Sequence, residues 1–454
     1  MCRGACSPFL KGEPTVVLRT APIARILFLS SLGETRFAKV KVARKHLSMT
    51  SPRRIFYFFL FLGYLLLPFS SAPSDGGVIS FGLPFLAISG ALAILLSYKQ
   101  ISSIRFPILL AFIFLSFIAF TALIAPDPFQ SFARVVPNIV GFMIFVGVYS
   151  ILRKDPTYIV RFQNVALASG VVCALYYLIN FIWKSLDHGI VLVIYERYVG
   201  GLASLPWGAS NTIAQVLIIA LCTTIHSYKT LRDGKLVRVS IFIIASAVLL
   251  TLSRSNLITL VLFLLCTSTK RRLLLVSALL CVCALLLIPL FGFEIDLTAY
   301  EALIDDRLDK DKVLSGNSRF ESWAEKLDYW LINPLPPIGY YGSTFVFGMS
   351  GHSYWITTLI EQSVFSVVVS AIFFFYPAFT RWKKFSGGVI GLLLIMLGLM
   401  VEDPQFAQPY ILMLWLYMGI LYGAPGGIRS AMVRSLQTAD LKMAKPERAG
   451  GHVS

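Results

Sequence analysis

Arg197, Arg254, Arg319 and His352 stand apart from most charged residues of this sequence, because each lies beside apolar or aromatic stretches rather than in a basic tract. Arg197 falls in IYERYVGGLASLPWGASN, Arg254 in the tight turn TLSRSN between two short apolar runs, and Arg319 at the head of an amphipathic stretch. A guanidinium is a planar fork of donors that suits phosphate oxygens in pairs, so compact fixed arginines fit a diphosphate at a membrane surface. An arginine between two apolar segments is costly unless it meets an anion or a wet cavity. Snorkelling to the interface, or a salt bridge to a nearby acid, is the plainer alternative for each.

His352 sits in Gly351-His352-Ser353-Tyr354, where a polar segment gives way to an apolar one. Histidine titrates near neutrality and takes a proton from a sugar hydroxyl at modest cost, although at a helix entrance it is more often a cap or an anchor. Glu361 follows roughly 13 Å further along if the helix is regular. It could orient an arginine, line a cavity, or anchor a polar group on a neighbouring helix. The run Asp305-Asp306-Arg307-Leu308-Asp309-Lys310-Asp311 lacks the glycine and closing glutamate of a calcium loop and reads as a solvated turn. No residue pattern suits a metal, and no cofactor is expected.

What must position these residues is a set of membrane helices. Hydrophobic residues make up 57% of the 454-residue chain and charged ones 14%, with a mean hydropathy of +0.75. A soluble chain usually carries about a quarter charged residues, so a water-soluble globule is excluded. The apolar runs predict an all-α integral membrane protein with about twelve spans. They lie near 54–73, 78–98, 104–125, 133–152, 160–183, 209–228, 237–252, 255–269, 273–292, 353–379, 386–401 and 408–423.

Most of the 40 lysines and arginines fall on one side of this alternation and most of the 23 acids on the other. The positive-inside rule then puts both termini in the cytoplasm. The same distribution explains the net charge of +17 without a nucleic-acid partner. None of the seven cysteines lies in a polar loop on the outer side, so no disulfide framework is implied.

Residues 1–53 form a basic cytoplasmic extension without a span or signal-peptide cleavage pattern, and Met49 is a natural start. The domain proper covers 54–423, and a Gly-, Ala- and charge-rich tail, 424–454, is expected to be disordered. Between the ninth and tenth spans the long loop 293–351 lies on the outer side, and loops of that length usually carry function. Within it Ser318 and Glu321 have capping-box spacing, and Phe320, Trp323, Leu327, Trp330 and Leu331 share a stripe that ends at Asn333-Pro334. That pattern predicts an interfacial amphipathic helix.

This arrangement resembles the O-antigen ligase and polymerase family of bacterial membrane glycosyltransferases. The likeness covers about 54–423 and rests on Arg197-Tyr-Val-Gly-Gly with Ser210-Asn211, on Ser253-Arg254-Ser255, on Arg319 with Trp323 and Asn333-Pro334-Leu335, and on His352 with Glu361. It departs from the pattern at Ser353, where asparagine is common, and at Pro336-Pro337, in place of a glycine-containing turn. The resemblance implies metal-independent transfer of a glycan from undecaprenyl diphosphate to an acceptor sugar such as lipid A core, for surface polysaccharide such as lipopolysaccharide.

It further implies Arg197 and Arg254 on the diphosphate, His352 on the acceptor hydroxyl, and Arg319, Trp323 and Glu361 in substrate binding. The rival expectation is a secondary transporter or lipid-linked glycan flippase. Such proteins place coupling charges and broken helices near the midplane rather than at the outer face.

Overall fold

The computed structural model describes residues 52–71, 78–101, 106–189, 193, 204–225, 235–251, 253–267, 317–348, 352–382 and 386–424. The extension 1–51, Arg197, the expected ninth span 273–292, loop residues 293–316 and the tail from 425 lie outside them. Among the described residues the regular structure is helical, with two isolated bridges and no strand.

Among the described residues eight helices precede the long loop: α1 Pro52–Leu66, α2 Leu83–Ile101, α3 Phe106–Leu123, α4 Pro128–Lys154, α5 Tyr158–His188, α6 Ser210–Thr224, α7 Lys235–Leu250 and α8 Arg254–Thr267. Two lie within that loop, α9 Asn317–Ile332 and α10 Gly342–Phe347, and four follow it: α11 Tyr354–Gln362, α12 Val364–Arg381, α13 Ser386–Val401 and α14 Gln408–Gly423. Four of these, α3, α4, α5 and α12, are long and apolar enough to cross a membrane. Others are as apolar but shorter: the 16 residues of α13 rise about 24 Å, less than a typical hydrocarbon core.

Side-chain distribution follows lipid logic rather than water logic. On α12 the apolar stripe Val364, Phe365, Val368, Ile372 and Phe379 is exposed, while Ser366 and Ser370 are buried with Phe373 and Phe374. Polar groups turn inward because there they find partners, and apolar ones turn outward at no cost. At the centre α14 is buried along its whole length and packs on α4. Small residues let the two approach: a Cβ on Gly141 would collide with the Trp415 ring.

Several sequence boundaries move for local reasons. The first span stops at Leu66 rather than 73, because the residue before Pro68 is pushed out of helical geometry. Helix α4 begins at Pro128 rather than 133, since Asp127 accepts a hydrogen bond from Gln130 N and proline fits the first helical position.

The expected single helix 353–379 is broken. Ser363 has φ 89°, separating α11 from α12, and Glu361 therefore lies near the end of a short helix. The amphipathic helix forms as Asn317–Ile332, but its buried edge differs from the expected stripe. Ser322 and Lys326 are buried, Trp323, Leu327 and Trp330 are half-buried, and Leu331 is exposed.

Candidate functional site

One end of the bundle gathers the connections 124–127, 204–209, 333–341 and 402–407, together with Thr251 and Ser253. The last of these, Glu402-Asp403-Pro404-Gln405-Phe406-Ala407, is its organising piece. Asn211, in the first turn of α6, donates from Nδ2 to Glu402 Oε1 at 2.8 Å. Asn256, in the first turn of α8, donates from Nδ2 to Asn211 O at 3.2 Å and to Ser253 Oγ at 2.8 Å. Lower on α6, Gln215 Nε2 donates to Gly398 O at 3.1 Å. The backbone N–H of Tyr354 donates to Glu402 O at 3.3 Å, tying the start of α11 to the same residue. Ser210-Asn211, Ser253-Arg254-Ser255 and His352-Ser353-Tyr354, far apart in sequence, thus share one hydrogen-bonded hub.

Arg254 is the first residue of α8, two positions before Asn256; the course of its side chain lies outside the described residues, as does that of Arg319 in the first turn of α9. His352 is half-exposed with φ 50°, one residue before Ser353, the N-cap of α11. It is therefore outside the helix and does not occupy the cap. A φ of 50° is left-handed backbone, which histidine, asparagine and glycine enter more readily than β-branched residues.

Glu361 is fully buried, and its carboxylate accepts from Tyr341 N at 2.9 Å and Ser343 N at 3.0 Å. It holds the turn that opens α10, beside two backbone bonds, Ile338 N to Ile360 O and Tyr340 N to Thr121 O. Gly339, at φ 90° with its Cα against the Ala125 backbone, is a position only glycine fills without strain. The expected anchor role of Glu361 is thus met by loop backbone rather than by a side chain on another helix.

Deeper in, Trp415 Nε1 donates to Asn138 Oδ1 at 3.1 Å, Asn138 Nδ2 to Tyr340 Oη at 3.3 Å, and Tyr340 Oη to Gln405 O at 3.3 Å. These groups, with Tyr354 and Tyr410, line a cavity of about 30 Å³. That is room for roughly one or two waters, and among the described residues the Tyr410 hydroxyl has no hydrogen-bond partner. Gln405 Nε2 also donates to Asp403 Oδ2 at 3.3 Å. Burial pushes the Asp403 carboxyl up to about 6, against hydrogen bonds from Thr357 and Gln405 that favour its charged form.

On α9, Lys326 is buried, donates from Nζ to Ser322 Oγ at 2.7 Å and lies 4.8 Å from the centre of the Phe347 ring. Burial pulls its pKa below the ordinary lysine value, with Glu325 opposing. Tyr329 meets the same ring edge-on, so Lys326 and Tyr329 clasp α9 to α10. Among the described residues no cluster of histidine, cysteine and acids suits a metal ion.

Sequence reasoning missed Glu402, Asp403, Gln405, Asn256 and Asn138. A signal existed: VEDPQFAQP puts two adjacent acids between two apolar helices, where an acid is expensive and marks a polar partner or a function. No protein-family model matches the chain, and no curated protein or solved structure matches it either.

Proposed function

We propose that this chain is a membrane glycosyltransferase of the ligase or polymerase type, moving a glycan from undecaprenyl diphosphate to an acceptor sugar at the outer face of a bacterial inner membrane. The observation that carries the reading is the hub at Glu402, which draws together the starts of α6 and α8, bearing Asn211 and Arg254, and the start of α11, two residues after His352. About twelve spans with both termini cytoplasmic belong to the same proposal, since the outer face is then the hub's end of the bundle.

In the reaction, the acceptor hydroxyl oxygen bonds to the anomeric carbon while the bond from that carbon to the diphosphate oxygen breaks. The diphosphate leaves with the electron pair, and Arg254 with Arg197 stabilises its growing charge. His352 takes the hydroxyl proton. Arg319 and Trp323 on α9 contact the glycan, while Glu361 acts on the site by fixing the turn at Tyr341.

A second reading, a secondary transporter or lipid-linked glycan flippase, is favoured by one feature: the break at Ser363 beside buried Glu361 has the form of a discontinuous transporter helix. Purified protein with defined donor and acceptor separates the two. Glycan transfer that is lost in Arg254→Ala supports the enzyme; translocation without transfer overturns it. In a deletion strain, a single repeat left on the core marks a polymerase, and accumulated lipid-linked polymer marks a ligase.

A further inference from the structure

Arg134 is absent from the motifs above, yet it is a cation held over an aromatic ring at this end of the bundle. It lies in the second turn of α4, one turn before Asn138 and on the same face. Asn138 is buried against Tyr340 and Trp415, so Arg134 is aimed toward the bundle rather than away from it. Its guanidinium carbon stands 5.0 Å over the centre of the Tyr341 ring, and the side chain is half-buried. Cation and ring together form a preorganised platform.

Two facts give that platform an anionic ligand. First, among the described residues no carboxylate lies within salt-bridge distance of Arg134 and no hydrogen bond engages it. Glu361, which reaches this turn from α11, already accepts from Tyr341 N and Ser343 N. A guanidinium with its donors uncommitted, at the rim of an apolar bundle, is stable only with an anion or water in reach. Second, the rim is apolar on both sides: Phe129, Phe132 and Val136 are exposed on α4, and Phe345 and Val346 on α10. An anion that reaches Arg134 along these surfaces brings an apolar chain with it.

We propose that Arg134 over Tyr341 is a phosphate subsite for a lipid-borne phosphate, distinct from the hub at Asn211 and Glu402. The two are coupled through the 402–407 connection, where Phe406 meets Tyr341 edge-on at 4.8 Å. Resting on the glycosyltransferase reading, the subsite names where the prenyl phosphate group first engages the protein on leaving the bilayer. Lysine cannot reproduce a guanidinium that lies over a ring and still offers a donor fork.

The test is binding without turnover: full-length protein in phosphatidylcholine nanodiscs, titrated with undecaprenyl phosphate or undecaprenol, bound lipid being counted by native mass spectrometry. Expected is a preference of the unaltered chain for the phosphate. Its Kd should rise about tenfold or more in Arg134→Gln, and by less in Arg134→Lys, as for loss of a charged hydrogen bond. Undecaprenol binding should be the same in all three. Equal phosphate affinity in Arg134→Gln and the unaltered chain, or an equal loss for undecaprenol, overturns the subsite. Displacement of the lipid by inorganic diphosphate at matching concentration overturns its lipid character. Should the unaltered chain show no phosphate preference, the donor in the glycosyltransferase reading falls too; should Arg254→Ala alone lose binding, only the Arg134 subsite falls.

Discussion

The two ends of the bundle handle polar groups in opposite ways. At the end away from the hub, charged side chains serve helix termini: Arg381 donates from Nη1 to Ala424 O at 3.0 Å and from Nη2 to Tyr422 O at 2.9 Å, closing the last turn of α14. There too Asp155 accepts from Thr157 Oγ1 at 2.6 Å in an exposed turn, and Tyr57 Oη donates to Arg161 O. At the hub end, acids and amides are buried and bond to one another across helices remote in sequence. The first pattern satisfies backbone that would be orphaned anyway. The second buries polar groups beyond those that helix ends require, and burying them is costly unless each is paired.

His352→Ala is the strongest test of that contrast. If His352 is the base, transfer falls by about 10²–10⁴, whereas no substitution at the opposite end should approach this. Asparagine enters the left-handed backbone of position 352 more readily than alanine, so His352→Asn is the cleaner variant. Wild-type transfer in His352→Asn, at matched protein levels, would remove the histidine from the chemistry.

Next in size is Glu402→Ala, which leaves the Asn211 amide buried without its acceptor. A loss of about 1–3 kcal/mol of stability is expected, read as a lower Tm of detergent-solubilised protein. If the hub positions the site, transfer should fall further than this stability loss explains; transfer that merely tracks the folded fraction would make the hub structural, like the far end.

Asp403 gives a pH signature. Its folded-state pKa of about 6 is above the ordinary value of 3.8, so between those values the folded chain binds the extra proton. Stability from this group is therefore greatest at acid pH and falls as pH rises from about 4 through 6, by at most about 3 kcal/mol. Asp403→Asn should raise the Tm at pH 7.5 and flatten its change between pH 5 and 7.5. A profile unaltered by the substitution would show that another group sets it.

The smallest effect belongs to the opposite end. Arg381→Gln should cost about 1 kcal/mol through its carbonyl contacts, with transfer per folded molecule unchanged. A fall in transfer comparable to that of Glu402→Ala would erase the difference between the ends.

The helical class and much of the helix order were legible from residue type alone, because a run of apolar residues in lipid has little choice but to form a helix. The amphipathic helix at Asn317–Ile332 and its stop before Pro334 were legible for the same local reasons of capping and proline geometry. Which face of that helix is buried was not, since Ser322 and Lys326 are covered by tertiary packing, Lys326 against Phe347 on α10 and the helix as a whole against α11. Nor was the break at Ser363, where positive φ on a serine is sustained by surrounding packing rather than by local propensity.

The pairing of Asn211 with Glu402 and the stacking of Arg134 on Tyr341 join residues 191 and roughly 200 positions apart. Hydropathy and charge fix each residue's depth along its own helix, because lipid and water act on each segment separately. Only helix packing decides which groups at that depth meet. The polar contacts that single out one end of this bundle therefore belong to the tertiary structure.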